Sequence, residues 1–383
     1  MVPGSELAPT VKSNNAFALE LYDHARAAPG NLAMSPASIS LALSMTWGGA
    51  RGETAREMAQ VLHLVGAASA VMASWGKLGT SLVDPTRKLK IRIANRLFGE
   101  QTYELEQAYL EQTRAAYGAA LEPIDFATAE AARARINHWV ETQTEKRIRD
   151  LLPQGSIDEL TRLVLVNAIY FLADWKSPFG SENTHDSPFT IEPGRRPLVP
   201  TMHQHTSFRI AKADGITMLE LPYQGGAAMW IVLPDEQHGL AEVESSLVTE
   251  KLERWSDLLR SAQLEVALPR FTIDPPDPLD LADILKACGM RLAFDGAAAD
   301  FSGIARSLDP AQRLCLSAVF HKAFVKVDEN GTEAAAATAV VMLERGPARN
   351  VEELKIDHPF LFFIVDKLSG LILFMGRVVD PVG

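Results

Sequence analysis

An α+β fold is predicted by three features of this sequence. Up to about residue 152 the apolar residues recur mainly at helical spacing. From Leu163 onward the chain breaks into short apolar runs bounded by Pro, Gly and charged residues, the texture of strands. Helical patterns return only at 240–256 and 278–288, so helices and strands do not alternate as they would in a doubly wound sheet. No internal repeat or linker-like break in composition divides the chain, and 1–383 is read as a single domain.

The first strong element is 34–50, MSPASISLALSMTWGGA, which carries no charge and no polar face beyond small hydroxyls. Such a helix is buried all round. Ser35 and Pro36 supply a cap and a first-turn proline, and Gly48 and Gly49 end it. Thr54 and Glu57 have capping-box spacing and open a second helix with Met58, Val61 and Leu62 on one face. A longer amphipathic helix is predicted over 128–152, with Thr128 as its cap. Strands follow at 163–171, 216–223, 228–236, 264–271, 323–327, 360–365 and 371–375.

Composition narrows the function. With 47% hydrophobic residues the chain can bury a large core. Its 37 Lys and Arg against 48 Asp and Glu give a net charge of −11, which argues against nucleic acid as a partner. Two cysteines, Cys288 and Cys315, exclude a disulfide framework or a cysteine-built metal cluster. The longest apolar runs stop well short of the ~18 residues of a membrane span. The amino-terminal residues do not have the pattern of a secretory leader.

Catalytic motifs are lacking: there is no GxSxG, HExxH, GxGxxG, phosphate-binding loop or paired CxxC. His203 and His205 are two apart with no carboxylate or cysteine beside them in sequence, and are read as solvated loop residues rather than metal ligands. The cluster Gly48, Gly49, Gly52 is a helix end and turn. The basic alternation Arg87, Lys88, Lys90, Arg92 is read as the exposed face of a strand. No cofactor or metal is expected.

The informative stretch is 327–350, VDENGTEAAAATAVVMLERGPARN, between a strand and the apolar run at Phe360. Loops beyond about 12–15 residues inside compact domains are usually functional or disordered. Here the alternate positions Thr332, Ala334, Ala336, Thr338, Val340 and Met342 are all small or apolar, and in a strand they would face one way. Taken alone, an alanine-rich helix reads equally well.

A set of motifs running nearly the length of the chain resembles the serpin family. These are NLAMSPASI at 31–39, INHWV at 136–140, IRDLL at 148–152, LVNAIYF at 165–171, Trp175 with Pro178 and Phe179, and HKA at 321–323. DENGTEAA at 328–335, HPF at 358–360 and FMGRVVDP at 374–381 complete it. The resemblance implies three β-sheets, eight to nine helices and an exposed reactive-centre loop at about 329–350. It implies a suicide inhibitor of metastable fold, whose loop is cleaved by a target serine protease and then inserts into the central sheet, trapping the covalent acyl-enzyme.

By the same resemblance Glu329, Gly331, Thr332, Glu333, Ala334, Ala335, Ala336, Ala337 and Thr338 are the hinge and inserting residues. Ser35, Ser38, Asn167 and His321 form a polar cluster where the sheet opens, and Trp175 is the aromatic at the insertion point. Counting seventeen residues from Glu329 places the bait bond at Arg345 and Gly346, suited to a trypsin-like protease, with Arg349 as first alternative. Met342 or Leu343 would instead suit chymotrypsin-like or subtilisin-like enzymes. Where relatives often place a lysine to pair with the hinge Glu, this chain has Leu292 beside Arg291, which leaves the partner of Glu329 open. The sequon at Asn330 is expected to be unmodified, because a glycan would obstruct insertion. The resemblance further implies a monomer able to form loop-sheet polymers and acting outside the cell by family habit, while the lack of a leader pattern leaves a cytoplasmic role open. A non-inhibitory chaperone or carrier of the same family is the main rival, an inhibitor of cysteine proteases is a further alternative, and a hydrolase is the more distant one.

Overall fold

The computed structural model describes residues 6–118, 121–306, 313–332 and 352–382. In chain order its first half comprises α1 (Ala8–Ala25), β1 (Leu32–Met34), α2 (Pro36–Gly49), α3 (Gly52–Val61), α4 (Ala68–Leu82), β2 (Lys90–Glu100), α5 (Gln107–Tyr117), β3 (Glu122–Ile124), α6 (Ala129–Gln143) and β4 (Leu163–Asp174). There follow β5 (Thr184–Pro188), β6 (Leu198–Ala213), β7 (Ile216–Pro222), β8 (Ala227–Pro234), α7 (Leu240–Ser245), α8 (Thr249–Leu258), β9 (Arg260–Pro269), β10 (Phe271–Ile273), β11 (Leu279–Asp280) and α9 (Ala282–Ala287). The last strands are β12 (Ala318–Val327), β13 (Gly331–Thr332), β14 (Glu352–Lys355), β15 (Phe360–Asp366) and β16 (Leu371–Val378).

The predicted α+β architecture is present, with nine α-helices among the described residues. One sheet runs β10-β12-β13-β4-β2-β3, and a second runs β1-β16-β15-β8-β7-β6-β9-β14 with β5 beside β6. The second set joins two of the three expected sheets, because β6 is 16 residues long. Its amino-terminal part pairs with β5, its length through Ile210 with β9, and its last residues with β7.

Helix α2 explains its own composition. Every residue is buried, between α1 and α4 on one side and β2, β4 and β16 on the others. A charge anywhere on it would lose its hydration without a partner. Two of its hydroxyls turn back onto the helix, Ser44 to the Leu41 carbonyl at 2.8 Å and Thr46 to that of Ala42 at 3.3 Å. The Ser35 hydroxyl caps it by accepting from the Ser38 N–H at 3.3 Å.

Three expectations are corrected. Thr54 and Glu57 do not form a capping box, since α3 starts at Gly52 and both side chains serve a distant segment. The Thr54 hydroxyl accepts from the Asp300 N–H at 3.0 Å, and Glu57 accepts from the N–H groups of Arg291 and Leu292 at 2.9 and 2.7 Å. The predicted helix over 128–152 ends at Gln143, because Glu145 and Lys146 take positive φ. Thr128 makes no side-chain cap there, and Leu151 and Leu152 are buried beyond the helix end. His203 and His205 lie on the strand β6 rather than in a loop, and the His203 ring stacks on His185 at 4.0 Å.

Candidate sheet-opening and hinge site

The central feature of the first sheet is that β12 and β4 pair directly and in parallel, from Ala318 opposite Val164 to Phe324 opposite Tyr170. Past that point they diverge, and β13 fills the gap: Thr332 pairs with Val327 on one side and Ala173 on the other. The sheet is therefore closed along most of this seam and already holds the first two residues of an additional strand at its open end. Gly331 is required there. Its φ is +154°, and a Cβ would lie 2.0 Å from the Ala173 carbonyl oxygen. Asp328 sets the turn before it, accepting from the Asn330 N–H with its carboxylate at 3.0 Å.

Six contacts seat this hinge. The Trp175 indole, buried and stacked on Tyr223 at 4.3 Å, donates to the Asp328 carbonyl at 2.9 Å. The Trp175 N–H donates to the Asn330 carbonyl at 2.7 Å and that of Phe179 to the Glu329 carbonyl at 2.9 Å. The Tyr223 and Thr332 hydroxyls meet at 2.5 Å, with Thr332 fully buried. The Glu329 carboxylate, left without a partner by sequence reasoning, is bound by Arg270, whose Nε donates at 2.8 Å, and by the Thr184 hydroxyl. Burial pushes the Glu329 carboxyl up, but the Arg270 and Thr184 hydrogen bonds outweigh it and hold it below the usual glutamate range.

Along the closed part of the seam lies the polar cluster. His321 of β12, Asn167 of β4 and Asn95 of β2 are register partners in one row across three strands. Ser35 and Ser38, at the start of α2, sit against this row. The Ser35 N–H donates to His321 Nε2 at 3.0 Å, so Nδ1 carries the ring proton and donates to the Asn167 side-chain oxygen. The Asn167 amide donates to Ser38 Oγ at 2.7 Å and to the Asn95 oxygen at 2.6 Å. The Asn95 amide closes the circuit on the Ser38 carbonyl at 2.9 Å. Complete burial pushes the His321 pKa down to about 3, so the ring is neutral.

The structure thus brings together Ser35, Ser38, Asn167 and His321 in one cluster, and Trp175, Glu329, Gly331 and Thr332 in another. Glu333, Ala334, Ala335, Ala336, Ala337, Thr338, Met342, Leu343, Arg345, Gly346 and Arg349 lie outside the described residues. Four members escaped sequence reasoning. Asn95 had a signal, an amide inside the apolar strand run IRIANRLF. Thr184, Tyr223 and Arg270 had none, because their meaning comes only from distant partners. Of the basic alternation, Lys90 and Arg92 share Glu145 on the surface, whereas Arg87 is buried against Asp366.

The family model described as Serpin (serine protease inhibitor) matches residues 12–381. The chain is a serpin. Serpin B3 of Homo sapiens is 38% identical over 392 residues, covering 97% of this chain and 99% of that protein. Leukocyte elastase inhibitor A of Mus musculus is 38% identical over 386 residues, with 96% and 98% covered. Among solved structures, human thyroxine-binding globulin complexed with thyroxine superposes with a TM-score of 0.89 at 30% identity, covering 99% of this serpin and 100% of that chain. The fold is therefore shared with proteins named as inhibitors and with one named for a ligand it binds. Burial pushes the Cys288 thiol up to about 12 and raises that of Cys315, which disfavours the thiolate at both.

Proposed function

We propose that this serpin is an irreversible suicide-substrate inhibitor of a trypsin-like serine protease, with Arg345 as bait and Arg345–Gly346 as the cleaved bond. The observation that carries the reading is the seat of Thr332: an uncharged side chain, fully buried, already occupying the open end of a seam that is closed everywhere below. In this mechanism the protease serine hydroxyl attacks the Arg345 carbonyl, the Arg345–Gly346 amide bond breaks, the Gly346 amine takes up the proton and leaves, and the serine is left acylated as the Arg345 ester. The freed segment then extends the two-residue strand β13 between β12 and β4. Thirteen residues, 332–344, span about 43 Å as a strand, so the acyl-enzyme is carried roughly that far.

The energetics support insertion. Each inserted residue gains ladder hydrogen bonds of ~0.5–1.5 kcal/mol and costs ~1–2 kcal/mol in backbone entropy, which nearly cancel. Burial of Val340 and Met342, at ~1.5–3 kcal/mol each, then favours the inserted state. The neutral His321 and its amide partners, which bridge the strands to be parted, oppose opening until the loop is cut.

Incubation with equimolar trypsin, followed by denaturing electrophoresis and mass spectrometry of the released carboxy-terminal fragment, tests this. A gel-stable adduct with a fragment beginning at Gly346 is expected. A fragment beginning at Asn350 moves the bait to Arg349. Clean cleavage without an adduct, together with no gain in thermal stability, favours the second reading, a non-inhibitory carrier. That reading rests on the likeness to thyroxine-binding globulin. It is disfavoured by the small, uncharged residues at 334–337.

A further inference from the structure

A cavity of about 530 Å³ lies beside the hinge and is lined by three lysines from separate parts of the chain: Lys88 ahead of β2, Lys176 after β4 and Lys367 after β15. Its floor is the turn between β7 and β8, where Tyr223 stacks on Trp175 and Gly225 and Gly226 both take positive φ. The one carboxylate among its described lining residues, Glu220, is fully engaged. It accepts from Lys367 at 2.6 Å, Arg209 at 2.7 Å and the Trp230 indole at 2.9 Å. Lys88 and Lys176 are exposed, so the described lining carries a formal charge of about +2 in a chain whose net charge is −11.

We infer that this cavity binds a compact, multiply charged anion, a small molecule bearing phosphate or sulfate groups. The volume falls within the range of small-ligand pockets, and Lys88 and Lys176, two ammonium groups from separate segments, neutralise such a ligand together, with Lys367 beside them held by Glu220. The site also spans two bodies that would move apart if the sheet opens as in the proposed function. Lys88 and Lys176 flank the paired strands β2 and β4, whereas Lys367 and the 224–226 turn belong to the second sheet. The buried Arg87–Asp366 pair already links these two bodies, and Arg87 Nε also donates to the Gly225 carbonyl at 3.0 Å. A bound anion adds a second link and favours the closed sheet. This inference does not depend on which protease, if any, the loop takes.

The test is calorimetric titration of the uncleaved protein with inorganic pyrophosphate and, separately, with a sulfated disaccharide. The expected result is one site per chain for at least one of the two, with affinity falling as salt rises. In the double variant K88A/K176A the affinity falls about tenfold, while K251A, on α8, leaves it unchanged. Thermal melting without ligand confirms that the variants fold, since both lysines are exposed. Binding to pyrophosphate alone assigns a phosphate ligand, and to the disaccharide alone a sulfated sugar. No saturable binding of either probe, or equal binding by K88A/K176A, overturns the inference.

Discussion

Asn167 and His321 are direct register partners on β4 and β12, the two strands that would have to part for the sheet to gain another, and the His321 ring donates from Nδ1 to the Asn167 oxygen. The bond lies across the seam itself and is buried, so opening the sheet exposes or orphans both groups, which resists opening.

That burial predicts a pH dependence. The His321 pKa is about 3 in the folded chain against an ordinary 6.5, so the unfolded state binds the extra proton between those values. Stability is then flat above pH ~6.5 and falls as pH drops towards 3, by at most ~5 kcal/mol from this residue. Melting of the uncleaved protein from pH 7 to 4, compared with His321→Gln, checks this. The variant starts less stable and loses this part of the slope; parallel curves would contradict the assignment.

The Arg270–Glu329 pair anchors the hinge from the side. Arg270 is 44% exposed, which limits its worth, while the Glu329 side chain is 8% exposed. Arg270→Ala is expected to cost about 1–3 kcal/mol in chemical denaturation and Arg270→Lys less, because lysine restores charge without the two-pronged hydrogen bond. Since the Glu329 carboxyl is held low, its contribution is present above its unfolded pKa and is lost as pH falls through the folded value. The Arg270→Ala penalty should therefore shrink in acid.

At Gly331 a methyl group has nowhere to go. Gly331→Ala sets a Cβ against the Ala173 carbonyl in a backbone conformation unfavourable to L-residues, and is expected to lower stability by about 1–3 kcal/mol. A change below about 0.5 kcal/mol would mean that β13 is not held between β12 and β4 as described.

Thr332→Glu tests the proposed mechanism without adding a new site for trypsin. The carboxylate would have to enter a fully buried position beside Tyr223, at a cost of several kcal/mol. The variant is expected to be cleaved by trypsin with little or no adduct. Adduct formation at the unsubstituted level would sink loop insertion as the mode of action.

The sequence by itself determined the α+β class, the buried helix α2 and the strand runs, because each is written in local periodicity: a charge-free stretch with no polar face, or short apolar runs closed by Pro and Gly. It also marked Ser35, Ser38, Asn167, His321 and Trp175 through motif resemblance. It failed where a local pattern was captured by a distant partner, as when Thr54 and Glu57 turned from a capping box to the segment at 291–300. Only the tertiary structure decided that Arg270 rather than a residue near 291 holds Glu329, that Asn95 completes the row across the seam, and that Tyr223 meets Thr332. Those contacts join residues 59 to 109 positions apart, or, for Asn95 and Asn167, 72 apart. The energy of a buried hydrogen bond or ion pair depends on the desolvated space its partners share, which folding creates and no stretch of sequence contains.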